Sequence, residues 1–344
     1  MATTVTVLIS FVLGIFLATK VSQLLGVLGL GKILDIGRSW EISNSYSEWL
    51  RKLLDFGRLR KSSWDDCSDF DGLPDGIIRL NDSVFQLYSP PEPEISMEII
   101  FFHGFLNYKS AMWKTWLAQD SDDLVWPKEW LSRMLPNARI LSISYDSCLL
   151  KKPARNDSDT LGQNLVFDII LDHRLNIGQG RKVFLVGHGS GEVILKQFII
   201  SAVERKQVLN DRNTYERGEI KRISEFIKNF KGVFSYSGIV CIADRFLPKS
   251  PFCKLMRFLD KTVARIDERF GNVLIKSNVE AFYAGAGNVF RGSRFFAKNY
   301  HYPVSFRRRT LKINGADYFT VCRAKSCHPD DEVIRFLKAR IVYL

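Results

Sequence analysis

The stretch Val183-Phe184-Leu185-Val186-Gly187-His188-Gly189-Ser190-Gly191 decides the fold that this sequence predicts. Its first four residues form an apolar run typical of a buried strand, and the glycines after it mark a sharp turn. The residues from Val193 to Ile200 are mostly apolar and can continue as a helix. The pattern therefore predicts a strand, a tight turn and a helix in direct succession.

Strand and helix patterns alternate along the rest of the chain. Short apolar runs predict strands at 97–103, 138–145, 231–237 and 281–284, and a hairpin at 77–88. Helices are predicted from Trp126, from Ser158, over about 244–278, and from Pro329 onward. Alternation of this kind favours an α/β fold with a mostly parallel sheet and helices on both faces. The segment 244–278 is interpreted as a small helical cap.

A strand, a turn and a helix also form the nucleophile elbow of α/β-hydrolases, written Gly-x-Ser-x-Gly. In that frame Gly189 occupies the position of the nucleophile, and Ser190 follows it by one residue. Glycine has no nucleophilic atom, and Ser190 is expected to cap the following helix or to lie in its first turn. The sequence therefore predicts an elbow without its attacking hydroxyl.

Several motifs lie between residues 97 and 340. They are Phe102-His103-Gly104-Phe105, Trp126-Pro127-Lys128-Glu129-Trp130-Leu131, Pro136 to Leu141, Tyr145-Asp146-Ser147, the elbow with Lys196-Gln197, and Asp317 to Arg323. These motifs resemble the serine active site-containing protein family, α/β-hydrolases associated with membrane lipid remodelling, and the resemblance covers residues 97 to 340. It implies an α/β-hydrolase fold whose oxyanion side comprises His103, Gly104, Phe105 and Ser190.

The departures from this family fall where it performs its chemistry. Gly189 replaces the serine, Glu192 replaces a glycine, and Tyr318 stands at the position of the catalytic histidine. No Asp or Glu lies between Glu280 and Asp317. Acyl transfer by this route needs a hydroxyl, a base and an orienting carboxylate, so we expect a catalytically inactive protein. Two alternatives stay open: an active serine esterase using a displaced Ser190, and an adaptor that works through its N-terminal region.

The chain is basic, with a formal net charge of +12. Such an excess favours anionic surfaces, and the candidates for contact with lipid headgroups are Arg291, Arg294, Lys298, Arg307, Arg308 and Arg309. A solvated loop with dispersed charge is the alternative interpretation. We expect no metal and no cofactor. Nucleic acid is an unlikely partner, because no zinc-finger, helix-turn-helix or RNA-binding signature is present.

The N-terminus is apolar and uncharged from Val5 to Ala18. Residues 1–34 are therefore interpreted as a membrane-anchor or targeting segment, with a cleaved segment, an amphipathic surface helix and a buried helix as alternatives. An amphipathic helix and linker at 35–76 and a hydrolase-like domain at 77–344 complete the predicted organisation. The expected partners are membrane lipid, an acyl or small-molecule ligand, or a protein. Family resemblance implies the endoplasmic reticulum or mitochondrial membrane.

Overall fold

A computed structural model of the chain describes residues 73–104, 111–145, 157–211, 217–236, 251–277, 279–286, 309–316 and 320–344. The chain divides into two units, 1–69 and 70–344, and all the described residues lie in the second. The predicted anchor at 1–34 and nearly all of the predicted helix and linker at 35–76 lie outside the described residues. None of the described helices combines the length and apolar character needed to cross a bilayer.

An eight-stranded sheet forms the centre of the fold, in the order β1-β2-β4-β3-β5-β6-β7-β8. Its strands are β1 (Ile78–Arg79), β2 (Val84–Tyr88), β3 (Met97–Phe102), β4 (Ala138–Ile143), β5 (Lys182–His188), β6 (Phe230–Tyr236), β7 (Glu280–Ala286) and β8 (Arg309–Ile313). β2 pairs antiparallel with β1 and β4, and all the other pairs are parallel. The expectation of a mostly parallel α/β fold is confirmed.

Seven helices of the described residues accompany the sheet, apart from one short 3-10 turn. They are α1 (Ala111–Lys114), α2 (Pro127–Leu131 continuing as Ser132–Met134), α3 (Asp157–Leu165 continuing as Val166–Leu171), α4 (Ser190–Asp211), α5 (Arg217–Asn229), α6 (Pro251–Ser277) and α7 (Glu332–Ile341). Neither α1 nor α5 was among the predicted helices. In α5, buried Ile223 and Phe226 face the core.

A core cluster lies on each face of the sheet, and strands such as β3 contribute apolar side chains to both clusters. Neighbouring side chains of a strand point to opposite faces, so Ile99 and Phe101 join one core cluster while Ile100 and Phe102 join the other. The first cluster includes the buried rings of Trp116, Trp126, Phe184, Phe234, Tyr236 and Phe336. Burial on two faces is what near-continuous apolar strands require.

The predicted cap segment contains α6, which connects β6 to β7. In its second half, Ile266, Phe270 and Leu274 recur four residues apart and are fully buried in the same cluster as α4. This half of α6 therefore packs against α4 in that cluster, and α6 is the crossover helix between the parallel strands β6 and β7. Residues 237–250, which precede α6, lie outside the described residues.

Candidate functional site

The elbow is formed where β5 ends at His188 and α4 begins at Ser190. Gly189 lies between them with φ of +54°, a left-handed conformation that glycine adopts without steric strain. The Gly189 amide donates to the Tyr236 carbonyl oxygen at 3.1 Å, and the Glu192 amide donates to the Gly189 carbonyl oxygen at 3.2 Å. Backbone hydrogen bonds to β6 and to the start of α4 therefore fix the conformation of the elbow.

The flanking glycines allow the helix to approach the strands closely. A β-carbon on Gly187 would lie 2.9 Å from the backbone Cα of Glu192. A β-carbon on Gly191 would lie 2.2 Å from the carbonyl oxygen of Phe102 and 2.4 Å from that of His103. Both positions need glycine because the obstructing atoms belong to the backbone and cannot rotate away. The geometry of a nucleophile elbow is thus kept around a residue that has no side chain.

Ser190 is fully buried. Its hydroxyl has no hydrogen-bond partner among the described residues, so it does not cap α4 and serves only as the first residue of the helix. Ser190 is the first residue of α4, so its backbone N–H has no acceptor within the helix. A substrate carbonyl would need access to the hydroxyl oxygen, and burial withholds that access.

His103 and Gly104 follow the end of β3, directly beside the elbow. The His103 ring stacks on Tyr145 with centroids 4.1 Å apart, and the Tyr145 hydroxyl donates to the His103 carbonyl oxygen. A β-carbon on Gly104 would lie 2.6 Å from Nδ1 of His188. The structure thus brings three of the four residues assigned to the oxyanion side together, and Phe105 lies outside the described residues.

An aromatic layer lies beneath the turn. The rings of Trp116 and His188 meet edge to face with centroids 6.4 Å apart. The Tyr236 hydroxyl donates to the Val333 carbonyl oxygen at 2.8 Å, and burial raises the pKa of Tyr236 well above its ordinary value. Tyr236 therefore stays neutral and serves as a structural donor, while His188 is held within the packed layer.

A buried charged cluster lies one turn further into the helix, and sequence reasoning missed it. The Lys196 ammonium forms ion pairs with Glu192, four residues earlier on α4, and with Oδ1 of Asp267 on α6 at 2.6 Å. The exposed fractions of the Lys196 and Glu192 side chains are only 1% and 2%. The sequence singled out Glu192 only as the replacement of a glycine, whereas the structure shows it as a buried partner of Lys196.

The surroundings of this cluster are apolar. The Lys196 ammonium lies 5.9 Å from the ring centroids of both Phe270 and Tyr283. Burial raises the pKa of Glu192, and the neighbouring Asp267 adds to this, although the charge of Lys196 opposes both. The i, i+4 spacing of Glu192 and Lys196 could have signalled a pair, but nothing local pointed to Asp267.

Most of the other predicted site residues lie outside the described residues. Tyr318 follows β8 by five residues but lies outside the described residues, as do Arg291, Arg294, Lys298, Arg307 and Arg308. Only the backbone of Arg309 is described, at the start of β8. Across the described ranges, no group of His, Cys, Asp or Glu is arranged to hold a metal ion.

The strand order and the elbow define the class of protein as an α/β-hydrolase-like fold. Within that class, the chain is similar to Protein SERAC1: it is 29% identical to the Bos taurus protein over 187 residues, which is 49% of this chain and 25% of the relative. For the Homo sapiens protein the identity is 26%, over 46% of this chain and 24% of the relative. The resemblance to the serine active site-containing proteins is therefore confirmed. The chain spans about a quarter of the length of these relatives, and no family model matches it.

Solved hydrolase structures are similar only in outline. A predicted CIB-like hydrolase from Thermoplasma acidophilum has a TM-score of 0.41 at 11% identity, covering 78% of this chain and 97% of that one. The carboxylesterase CesB from Bacillus subtilis has a TM-score of 0.36 at 12% identity, covering 75% of this chain and 85% of that one. Similarity at this level gives no information about function.

Proposed function

We propose that this chain is a catalytically inactive α/β-hydrolase-like protein that acts by binding or scaffolding in a lipid-related role at a membrane. The observation that carries the proposal is the elbow itself. Gly189 stands at the apex with φ of +54°, where a hydrolase presents its nucleophile. The neighbouring Ser190 hydroxyl is buried and cannot take over that role without a rearrangement of the turn.

The remaining chemistry of acyl transfer is also absent from the sequence positions that would supply it. Tyrosine, which stands at position 318, ordinarily titrates near pH 10 and is a poor proton acceptor at neutral pH. No carboxylate between Glu280 and Asp317 is available to orient a base. Oxyanion donors alone leave only weak residual catalysis when the triad is gone. Binding of an acyl group or another small molecule, or of a protein partner, is the use of this scaffold that we propose.

Two sequence features support the membrane part of the proposal. The net charge of +12 favours association with anionic headgroups, to which each lysine or arginine near the surface contributes about 1 kcal/mol. The apolar stretch from Val5 to Ala18 supplies a second membrane contact. By family resemblance we propose the endoplasmic reticulum or mitochondrial membrane as the location.

A fluorophosphonate probe tests the loss of catalysis directly. Such probes label an activated serine covalently, so we expect no labelling of the folded wild-type protein. The Ser190→Ala variant is the matched control. Labelling of the wild type at Ser190 that disappears in Ser190→Ala would instead establish the active esterase that uses a displaced serine.

Vesicle flotation tests the membrane role. We expect a larger fraction of the full chain to float with vesicles containing anionic phospholipid than with neutral ones, and we expect added salt to reduce this difference. Substitution of Arg291, Arg294, Lys298, Arg307, Arg308 and Arg309 by glutamine should weaken this binding, whereas glutamine at six surface lysines elsewhere should weaken it less.

Removal of residues 1–34 without any loss of flotation would contradict the anchor. Loss of all flotation on that removal alone would favour the adaptor that works through its N-terminal region.

A further inference from the structure

The charged cluster inside the helix layer joins two segments that are distant in sequence. Lys196 and Asp267 are 71 residues apart, and the Lys196 Nζ lies 2.6 Å from Oδ1 of Asp267. Glu192 contacts the same Nζ. The cluster therefore brings together an amine, a carboxyl group that the amine contacts, and a second carboxyl group that can carry a proton.

The environment of the cluster disfavours its charged form. Lys196 and Glu192 are almost completely buried, and the side chain of Asp267 is only 16% exposed. The rings of Phe270 and Tyr283 flank the Lys196 Nζ. Burial of ammonium and carboxylate groups carries a large desolvation penalty, and a desolvated lysine amine is activated as a nucleophile. Burial also raises the pKa of Glu192 above its ordinary value, so its carboxylate accepts a proton more readily than an exposed one does.

We propose that Lys196 and Asp267 condense into an intramolecular amide, an isopeptide bond between α4 and α6, with Glu192 as the acid–base residue. Glu192 takes one proton from the Lys196 ammonium, and the neutral Nζ attacks Cγ of Asp267 to form the N–C bond. Glu192 passes that proton, and then a second one from Nζ, to one carboxyl oxygen of Asp267.

That oxygen leaves as water with the electron pair of its C–O bond. One ammonium and one carboxylate thus become one amide and one water, and Glu192 returns to its starting state. The reaction involves no change of oxidation state and needs no further reactant. It replaces two buried charges by a neutral group, and the water-poor surroundings oppose the reverse hydrolysis.

Mass spectrometry of the purified full-length chain tests this inference. We expect an intact mass that is lower than the sequence mass by one water molecule. We also expect a branched peptide joining Lys196 to Asp267 after proteolysis. An unmodified intact mass, with the two residues recovered in separate linear peptides, would overturn the proposal.

Variants separate the roles of the three residues. Glu192→Gln keeps both reacting groups but removes the proton carrier, so we expect the unmodified mass for this variant. A cross-link that persists in Glu192→Gln would overturn the role of Glu192. Lys196→Arg keeps the charge and is expected to show no cross-link. Asp267→Asn offers an amide as the leaving group, so a mass lower by one ammonia molecule is expected, and its absence counts against the proposed attack. The wild-type measurement decides the proposal even if a variant fails to fold.

Discussion

A β-carbon added at Gly191 would lie 2.2 Å from the Phe102 carbonyl oxygen, too close for any side chain. Because that oxygen belongs to the sheet backbone, α4 would have to move away from β3. We expect Gly191→Ala to lower the free energy of unfolding by about 3 kcal/mol or more. Urea unfolding followed by circular dichroism measures this change.

Gly218 provides the matched control for that substitution. It lies in α5 with no atom within 4 Å of an added β-carbon, and alanine is the better helix former. We expect Gly218→Ala to raise the free energy of unfolding by up to about 1 kcal/mol. Equal effects of the two alanine substitutions would contradict the close approach of α4 to β3.

Gly189 allows a separate test of the elbow. A serine at this position would have to adopt a φ of about +54°, which is unfavourable for a residue with a side chain. We expect Gly189→Ser to lower the free energy of unfolding by about 1–2 kcal/mol. We also expect no ester turnover, because a hydroxyl without a base and a carboxylate is not activated. Thermal unfolding and an ester hydrolysis assay check the two parts, and turnover by this variant would show that a working base is present.

At the scale of elements, the clearest local device is the start of α7. The Asp331 carboxylate accepts from the backbone N–H groups of Val333 and Ile334, which have no acceptor within the helix. We expect Asp331→Ala to lower the free energy of unfolding by about 1 kcal/mol. The neighbouring Asp330, whose side chain is mostly exposed, is the control, and Asp330→Ala should change stability by less than about 0.5 kcal/mol. Chemical denaturation of both variants measures the difference, and similar losses would argue against the cap.

At the scale of the whole molecule, a second buried carboxyl group, that of Glu98, lies near the start of the interior strand β3. Burial raises the pKa of Glu98 above its ordinary value, although the Gly178 N–H, Arg139 and Arg181 oppose this. The Glu98 ion pairs with Arg139 and Arg181 are long, at 3.5 and 3.4 Å. Desolvation therefore outweighs the attraction of the two arginines.

This raised pKa predicts how stability depends on pH. A carboxyl group whose pKa is higher in the folded state stabilises the fold below the ordinary pKa, and that contribution is lost as the pH rises through the folded-state pKa. Glu98→Gln cannot titrate, so the wild type should gain stability relative to this variant as the pH falls from neutrality towards the ordinary glutamate pKa. Urea unfolding of both proteins over that range measures the difference. A constant difference, or one of opposite sign, would contradict the shift.

The sequence by itself determined the elements that depend on local pattern. Apolar runs and turn residues predicted the strands from β3 to β7, the elbow and the start of α7, because strand and helix periodicities and capping preferences involve neighbouring residues. The sequence also showed that position 189 has no side chain, since this depends on residue identity alone.

Only the tertiary structure decided which residues meet. The clash that requires glycine at position 191 comes from β3, almost ninety residues earlier in the sequence. The burial of the Ser190 hydroxyl and the contact of Lys196 with Asp267 depend on how α4 packs against the sheet and α6. Such contacts between distant segments follow from strand order and helix packing, which no local periodicity specifies.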